Sequence, residues 1–139
     1  MEPSKKTEII RLAIKSRERA YVPYSNFSVG AAVLTADGEI FTGCNIENLS
    51  YPAGICAERT AMFSAVAAGH LEFQGIAVSG GIKGEAPKDF CMPCGICLQV
   101  MSEFCKPEFP VLIVKNEEEI QEYQLKDLLP HVFDSLEKG

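Results

Sequence analysis

Residues 56–70 read CAERTAMFSAVAAGH and residues 93–104 read PCGICLQVMSEF, and together these stretches set the plan of the chain. The first is rich in Ala and has neither Pro nor internal Gly before Gly69. It is predicted to be a helix of about three turns closed by a glycine C-cap. Its near-uniform apolarity after Thr60 places it between layers rather than on a surface. The second stretch is entered through Pro93, and it too is predicted to be a helix.

Working outward, FSVGAAVLT (27–35) and EIFTGCN (39–45) are strand-like runs on either side of Asp37-Gly38, a pair suited to the positive φ angles of a tight hairpin. Upstream, Ile9, Ile10, Ala13, Ile14 and Arg17 to Ala20 recur at helical spacing among Lys and Glu, so residues 5–20 are expected to form an amphipathic helix ending near Pro23. GIAVS (75–79) and PVLIVK (110–115) are β-branched runs bounded by turn residues, as expected of inner strands. Residues 117–125 are expected to add an edge strand and residues 126–136 a short final helix. The order β, β, α, β, α, β describes an α/β protein with helices on the faces of a sheet.

A length of 139 residues, 47% of them hydrophobic and 23% charged, fits one globular domain spanning 1–139. No apolar run reaches the roughly 18 residues that a membrane span needs, and the start MEPSKKTEIIRLAIK mixes charges into its apolar positions. No signal peptide or membrane anchor is therefore expected, and the cytoplasm is the expected compartment. A net charge of -6 argues against nucleic acid, whose phosphates are bound by clustered Lys and Arg. Six cysteines in such a chain point to metal ligands, catalytic thiols or buried apolar groups rather than to disulfides.

Cys94 and Cys97 lie three residues apart at a predicted helix start, on one face and within reach of one ion. By itself Cys-x-x-Cys is more often a structural zinc half-site or a redox pair. Cys56, opening the other helix, is the natural third ligand. Both helix N-termini would favour the anionic cluster that results. Three protein ligands leave one tetrahedral position open for a water whose pKa the metal lowers, which separates a catalytic zinc from a closed structural one. Glu58, two residues past Cys56, is placed for general acid and base work beside that position. A zinc-stapled binding module without catalysis is the rival from a different class, and it has no use for Glu58. Cys44, Cys91 and Cys105 are expected in the core or in loops, with Cys91 close enough to Cys94 to compete for metal. His70 and His131 are expected to be solvated or satisfied polar groups, and the run Glu117–Glu119 a solvated turn.

Cys56-Ala57-Glu58 followed by Pro93-Cys94-x-x-Cys97 resembles the zinc signature of the cytidine deaminase superfamily. The resemblance continues through YVPYSNFSVGAAV (21–33), GCNIEN (43–48), PCGICLQV (93–100) and LLPHVF (128–133), in the order found in the small homotetrameric cytidine deaminases. It implies a three-layer α/β/α fold around a mixed sheet of about five strands, with one Zn2+ per subunit on Cys56, Cys94 and Cys97. The implied reaction turns cytidine and deoxycytidine into uridine and deoxyuridine with release of ammonia, as in pyrimidine salvage, with Glu58 carrying the protons. The resemblance further implies that Phe27 stacks on the base, Asn45 and Glu47 bind the ribose, and the Ala57 backbone contacts the base. Arg59 would support the thiolates from behind. Tyr51 and Phe133 would reach into a neighbouring subunit's pocket, so that active sites are shared within the tetramer.

Cys rather than His at position 56 favours free nucleosides over nucleic acid or deoxycytidylate. Two departures stand out. Leu98 occupies a position where relatives usually have Arg, so the site is expected to be more negative and its pH profile altered. Residues 80–92 form a longer stretch than usual, expected to shape the pocket rim and to bear on the choice of substrate. Another aminopyrimidine nucleoside, such as blasticidin S or a modified cytidine, is the nearest rival substrate.

Overall fold

In the computed structural model, which describes residues 1–136, the chain runs α1 (Pro3–Ser16), β1 (Phe27–Thr35), β2 (Ile40–Cys44), α2 (Ala57–Ala67), β3 (Phe73–Ile82), α3 (Gly95–Phe104), β4 (Pro110–Val114), β5 (Ile120–Gln124) and α4 (Leu125–Leu128). The five strands form one sheet in the order β2-β1-β3-β4-β5. Only β3 and β4 are parallel; the other pairs are antiparallel. Among these residues no helix is long and apolar enough to cross a membrane.

Strand alternation sorts the core into two layers, because successive side chains point to opposite faces of a sheet. Ala32, Leu34, Ala77, Leu112 and Val114 pack with Ile9, Ile10 and Ala13 of α1. Ala31, Val33, Ile76, Val78, Val111 and Ile113 face the other way, against Ala61, Met62, Ala65 of α2 and Met101 of α3. The result is the expected three-layer α/β/α arrangement. α1 starts at Pro3, a first-turn position where the missing N–H of proline costs nothing.

The hairpin strands and both inner helices lie where the sequence pattern places them. Gly69 has φ +100°, the left-handed conformation expected just past a helix end. Three elements differ from expectation. The helix expected over 5–20 stops at Ser16 and tightens into a 3₁₀ turn at Arg17–Arg19. β3 runs on past Ser79, through Gly80 and Gly81, to Ile82. Those glycines serve close approach rather than a turn, since a Cβ on Gly80 would lie 2.7 Å from Cys91 Sγ and 3.1 Å from Phe27 Cε1. The final helix shrinks from residues 126–136 to one turn at Leu125–Leu128, and Leu129 leaves it at φ -135° and ψ 75°. Pro130 explains the stop, because proline disfavours helical backbone in the residue before it and lacks the next N–H.

Gly43 sets how closely α2 lies on the sheet. A Cβ there would fall 2.4 Å from Ala61 N and 2.6 Å from Ala57 O, both backbone atoms that can move only with the helix. Gly43→Ala is expected to destabilise the fold by about 1–3 kcal/mol or more through overpacking, lowering the midpoint of a urea melt. Because α2 also begins at the site described next, the same variant is expected to hold less zinc.

Candidate metal centre and adjoining pocket

Cys56 and Cys94 are the N-cap residues of α2 and α3, in extended conformations at φ -80°, ψ 155° and φ -74°, ψ 163°. Neither side chain caps its own helix, although N-caps usually use a side-chain oxygen for that purpose. The two thiols instead turn toward each other and toward Cys97, one turn into α3. Cys56 Sγ lies 3.6 Å from Cys94 Sγ, and Cys94 Sγ lies 3.4 Å from Cys97 Sγ. All three sulfurs fall within 4.8 Å of one another. A disulfide needs about 2.05 Å, and every cysteine is free. Sulfurs bound tetrahedrally to zinc at about 2.3 Å would stand roughly 3.8 Å apart, so the donor set fits this ion in spacing and in softness.

The electrostatics favour a thiolate at Cys56 held by its neighbours. A hydrogen bond from Cys97, aided by Arg59 and Cys94, lowers Cys56 to about 5 against the opposing effect of burial. Cys97 is correspondingly raised, first by its hydrogen bond to Cys56 and then by burial. Arg59 Nη2 donates to Cys56 Sγ at 3.6 Å, and Cys56 raises the Arg59 pKa in return. Protons shared among thiols in this way are the ones a bound metal displaces. Leu98 is buried and belongs to the same core cluster as Met62 and Met101.

Glu58, in the first turn of α2, is only 5% exposed. Burial raises its carboxyl to about 7, with the Cys56 charge adding to the effect. Together with Cys56, Cys94 and Arg59 it lines a cavity of about 340 Å³, of a size to accept a small ligand. Asn45, Glu47, Ala57 and Tyr51 line the same cavity.

Asn45 and Glu47 are held by the segment that leads into β1. Asn45 Oδ1 accepts from Val29 N at 2.9 Å, and its Nδ2 donates to Phe27 O at 2.9 Å. The amide thus extends the strand ladder past the end of β2. Glu47 Oε1 accepts from Tyr24 N and Ser25 N at 3.1 Å, while its other oxygen meets the Ser25 hydroxyl. That hydroxyl, foremost, keeps the Glu47 carboxyl below its ordinary value.

Phe27 stands apart from this group. It lines a second cavity of about 280 Å³ with Gly80, Phe90 and residues of the 83–91 loop, and the two cavities meet at Cys91. Of residues 80–92, Cys91 and Met92 reach the thiol cavity, and most of the others line the second one. Tyr51 is 75% exposed and packs edge-on against Tyr24 with ring centroids 6.0 Å apart. Phe133 is exposed as well; its carbonyl accepts from Gln99 Nε2, and its side chain is not among those lining the thiol cavity. Cys91 lies outside the sulfur cluster, and burial pushes its thiol up to about 11. His70 is satisfied between Asp37 and Glu39, with Nε2 2.5 Å from a Glu39 oxygen.

Residue pattern missed part of the cavity wall. Ile46 and Ile55 bridge one another through paired backbone hydrogen bonds of 3.0 and 2.9 Å, closing the 47–54 loop so that both line the cavity beside Met92. Isolated isoleucines flanking a loop give no periodic signal.

Residues 3–113 match the family model of the cytidine and deoxycytidylate deaminase zinc-binding region. A cytidine deaminase of Sporosarcina psychrophila is 45% identical over 91% of this chain and 89% of its own length. One from Halalkalibacterium halodurans is 46% identical over 90% of this chain and 91% of its own. Among solved structures, cytidine deaminase from Burkholderia pseudomallei superposes with a TM-score of 0.83 at 45% identity, covering 96% of this chain and all of that one.

If the three sulfurs form one ligand set, removing the buried member should empty it. Cys97→Ala is expected to retain less than about a tenth of the zinc held by the unaltered chain, as measured by elemental analysis after gel filtration, and to melt at a lower temperature.

Proposed function

This chain belongs to the zinc-binding family of cytidine and deoxycytidylate deaminases, and from that premise we propose that it hydrolyses cytidine and deoxycytidine to uridine and deoxyuridine with release of ammonia. The observation that carries the reading is the convergence of two helix starts on three thiols, with one buried carboxyl facing the same cavity.

One zinc ion per subunit, held by Cys56, Cys94 and Cys97, would supply a Lewis acid that makes water nucleophilic near neutral pH. The remaining work falls to the chain's own groups. Glu58 takes a proton from the attacking water and gives it to N3 of the base. Once the water's oxygen has added to C4, Glu58 takes the second proton from the new C4 hydroxyl and gives it to the exocyclic amine, so that the C4–N bond breaks, ammonia leaves and the oxygen stays on the ring as a carbonyl. Burial suits the carboxyl to both tasks, because it brings proton affinity close to neutrality. Arg59 steadies the Cys56 thiolate, and it does so without a second arginine, because Leu98 is committed to the core.

Substrate selection follows from the rim. Phe27 offers its ring to the base, the Ala57 backbone contacts the base, and Asn45 and Glu47 receive the ribose hydroxyls. An ionised Glu47, favoured by its three donors, opposes an added phosphate and so favours nucleosides over nucleotides. Residues 1–139 act as one domain, working in the cytoplasm as a homotetramer. Exposed Tyr51 and Phe133 then gain partners by reaching into a neighbouring copy's pocket.

Glu58→Gln keeps the shape of the side chain and removes the proton carrier. Its kcat for cytidine, followed by ultraviolet absorbance, is expected to fall by about 10²–10⁴-fold with zinc content unchanged. Retained turnover would overturn the role given to this residue.

A further inference from the structure

Arg17 is the one charged side chain of α1 and its 3₁₀ extension that is buried, at 8% exposure. Its guanidinium runs into the sheet where β1 begins and β3 ends. Nε donates to Ser28 O at 3.0 Å and Nη2 to Ile82 O at 3.1 Å. Ser28 pairs with Gly81 and Phe27 with Ile82 in the β1–β3 register, so a single fork joins both strands at their last rungs. The way in is cleared by glycine, since a Cβ on Gly81 would stand 3.0 Å from Nη2 and 2.9 Å from Pro87.

Stability alone does not account for this residue. α1 is already fastened by Ile9, Ile10 and Ala13. The two acceptors found for the guanidinium are neutral carbonyls, which repay the desolvation of a cation less well than a carboxylate would. Burial lowers the Arg17 pKa, a sign of that cost, and an apolar side chain would fill the space more cheaply. Beyond the ladder pairing that already spaces these strands, the fork ties both strand ends to one side chain at the end of α1. One is followed in space by Phe27; the other opens into the 83–91 loop that carries Phe90 and Cys91 to the cavity Phe27 lines.

We propose that Arg17 is a positioning residue for the deamination: by tying Ser28 O to Ile82 O it holds Phe27 and the 83–91 loop at the spacing that receives the pyrimidine ring. The inference rests on the stacking role assigned to Phe27 above. Arg17 itself touches neither metal nor substrate, so its loss weakens binding of the base and leaves the proton transfers of Glu58 intact.

Arg17→Lys keeps charge and bulk but can no longer bridge both carbonyls in a planar fork. In the zinc-loaded protein it is expected to raise the KM for cytidine and the Kd for uridine about five- to tenfold, with kcat changed less than about threefold, the pattern of lost uniform binding. Phe27→Ala is expected to raise KM at least as much. In the double variant Arg17→Lys should then add less than about twofold, because it acts through Phe27. A full multiplicative effect in the double variant overturns the inference while leaving the stacking reading in place. An unchanged KM in Phe27→Ala alone removes the stacking reading and the inference with it. If Arg17→Lys leaves KM and Kd within twofold, or does not accumulate as a folded zinc protein, Arg17 serves the fold only and the proposal fails.

Discussion

Everything at the candidate site depends on two helices beginning at one point. Each α-helix leaves its first N–H groups without intrahelical partners, and here both leading residues are cysteines whose side chains ignore those groups. The backbone therefore surrounds the sulfurs with positive dipole ends while the thiols remain free to bind something else. Such an arrangement only works if the helices are held end to end by something other than their own caps. That task falls to the sheet, through the backbone contact of α2 over Gly43 and the packing of Met62 and Met101 in the shared core.

Much of this was legible in the residues. The strand over 27–35 followed from the run FSVGAAVLT, the hairpin from Asp37-Gly38, and the helices from an Ala-rich run closed by Gly69 and a run entered through Pro93. The thiols and Glu58 stood out because their spacing relative to helix starts leaves few other uses. What did not show were features set by tertiary contact. Gly80 and Gly81 look like turn residues until the bulk of Cys91, Phe27 and Pro87 above them is known. Arg17 falls on the stripe of Ile10 and Ala13 by spacing, yet nothing in one dimension names the two carbonyls that its guanidinium reaches.

The cavity wall illustrates the same limit. Asn45 and Glu47 could be singled out by the company they keep in GCNIEN, but nothing in one dimension says that both are anchored to residues 24–29. Phe27 was placed over the base by resemblance; in the structure it borders a neighbouring cavity that adjoins the thiol cavity only at Cys91. The loop from 83 onward thus matters twice, as a rim and as the carrier of Met92, Cys94 and the helix start beyond them. It leaves β3 through backbone bonds from Lys83 N to Asn26 O and from Glu85 N to Ile82 O, which leave no periodic trace.

The anchoring of Asn45 and Glu47 has a consequence for how rapidly the site can act. Their rotamers are already frozen by main-chain partners before any ligand arrives, so the entropy of arranging them was surrendered during folding and is not charged again at each encounter. Any ligand that uses these two side chains meets them already in place.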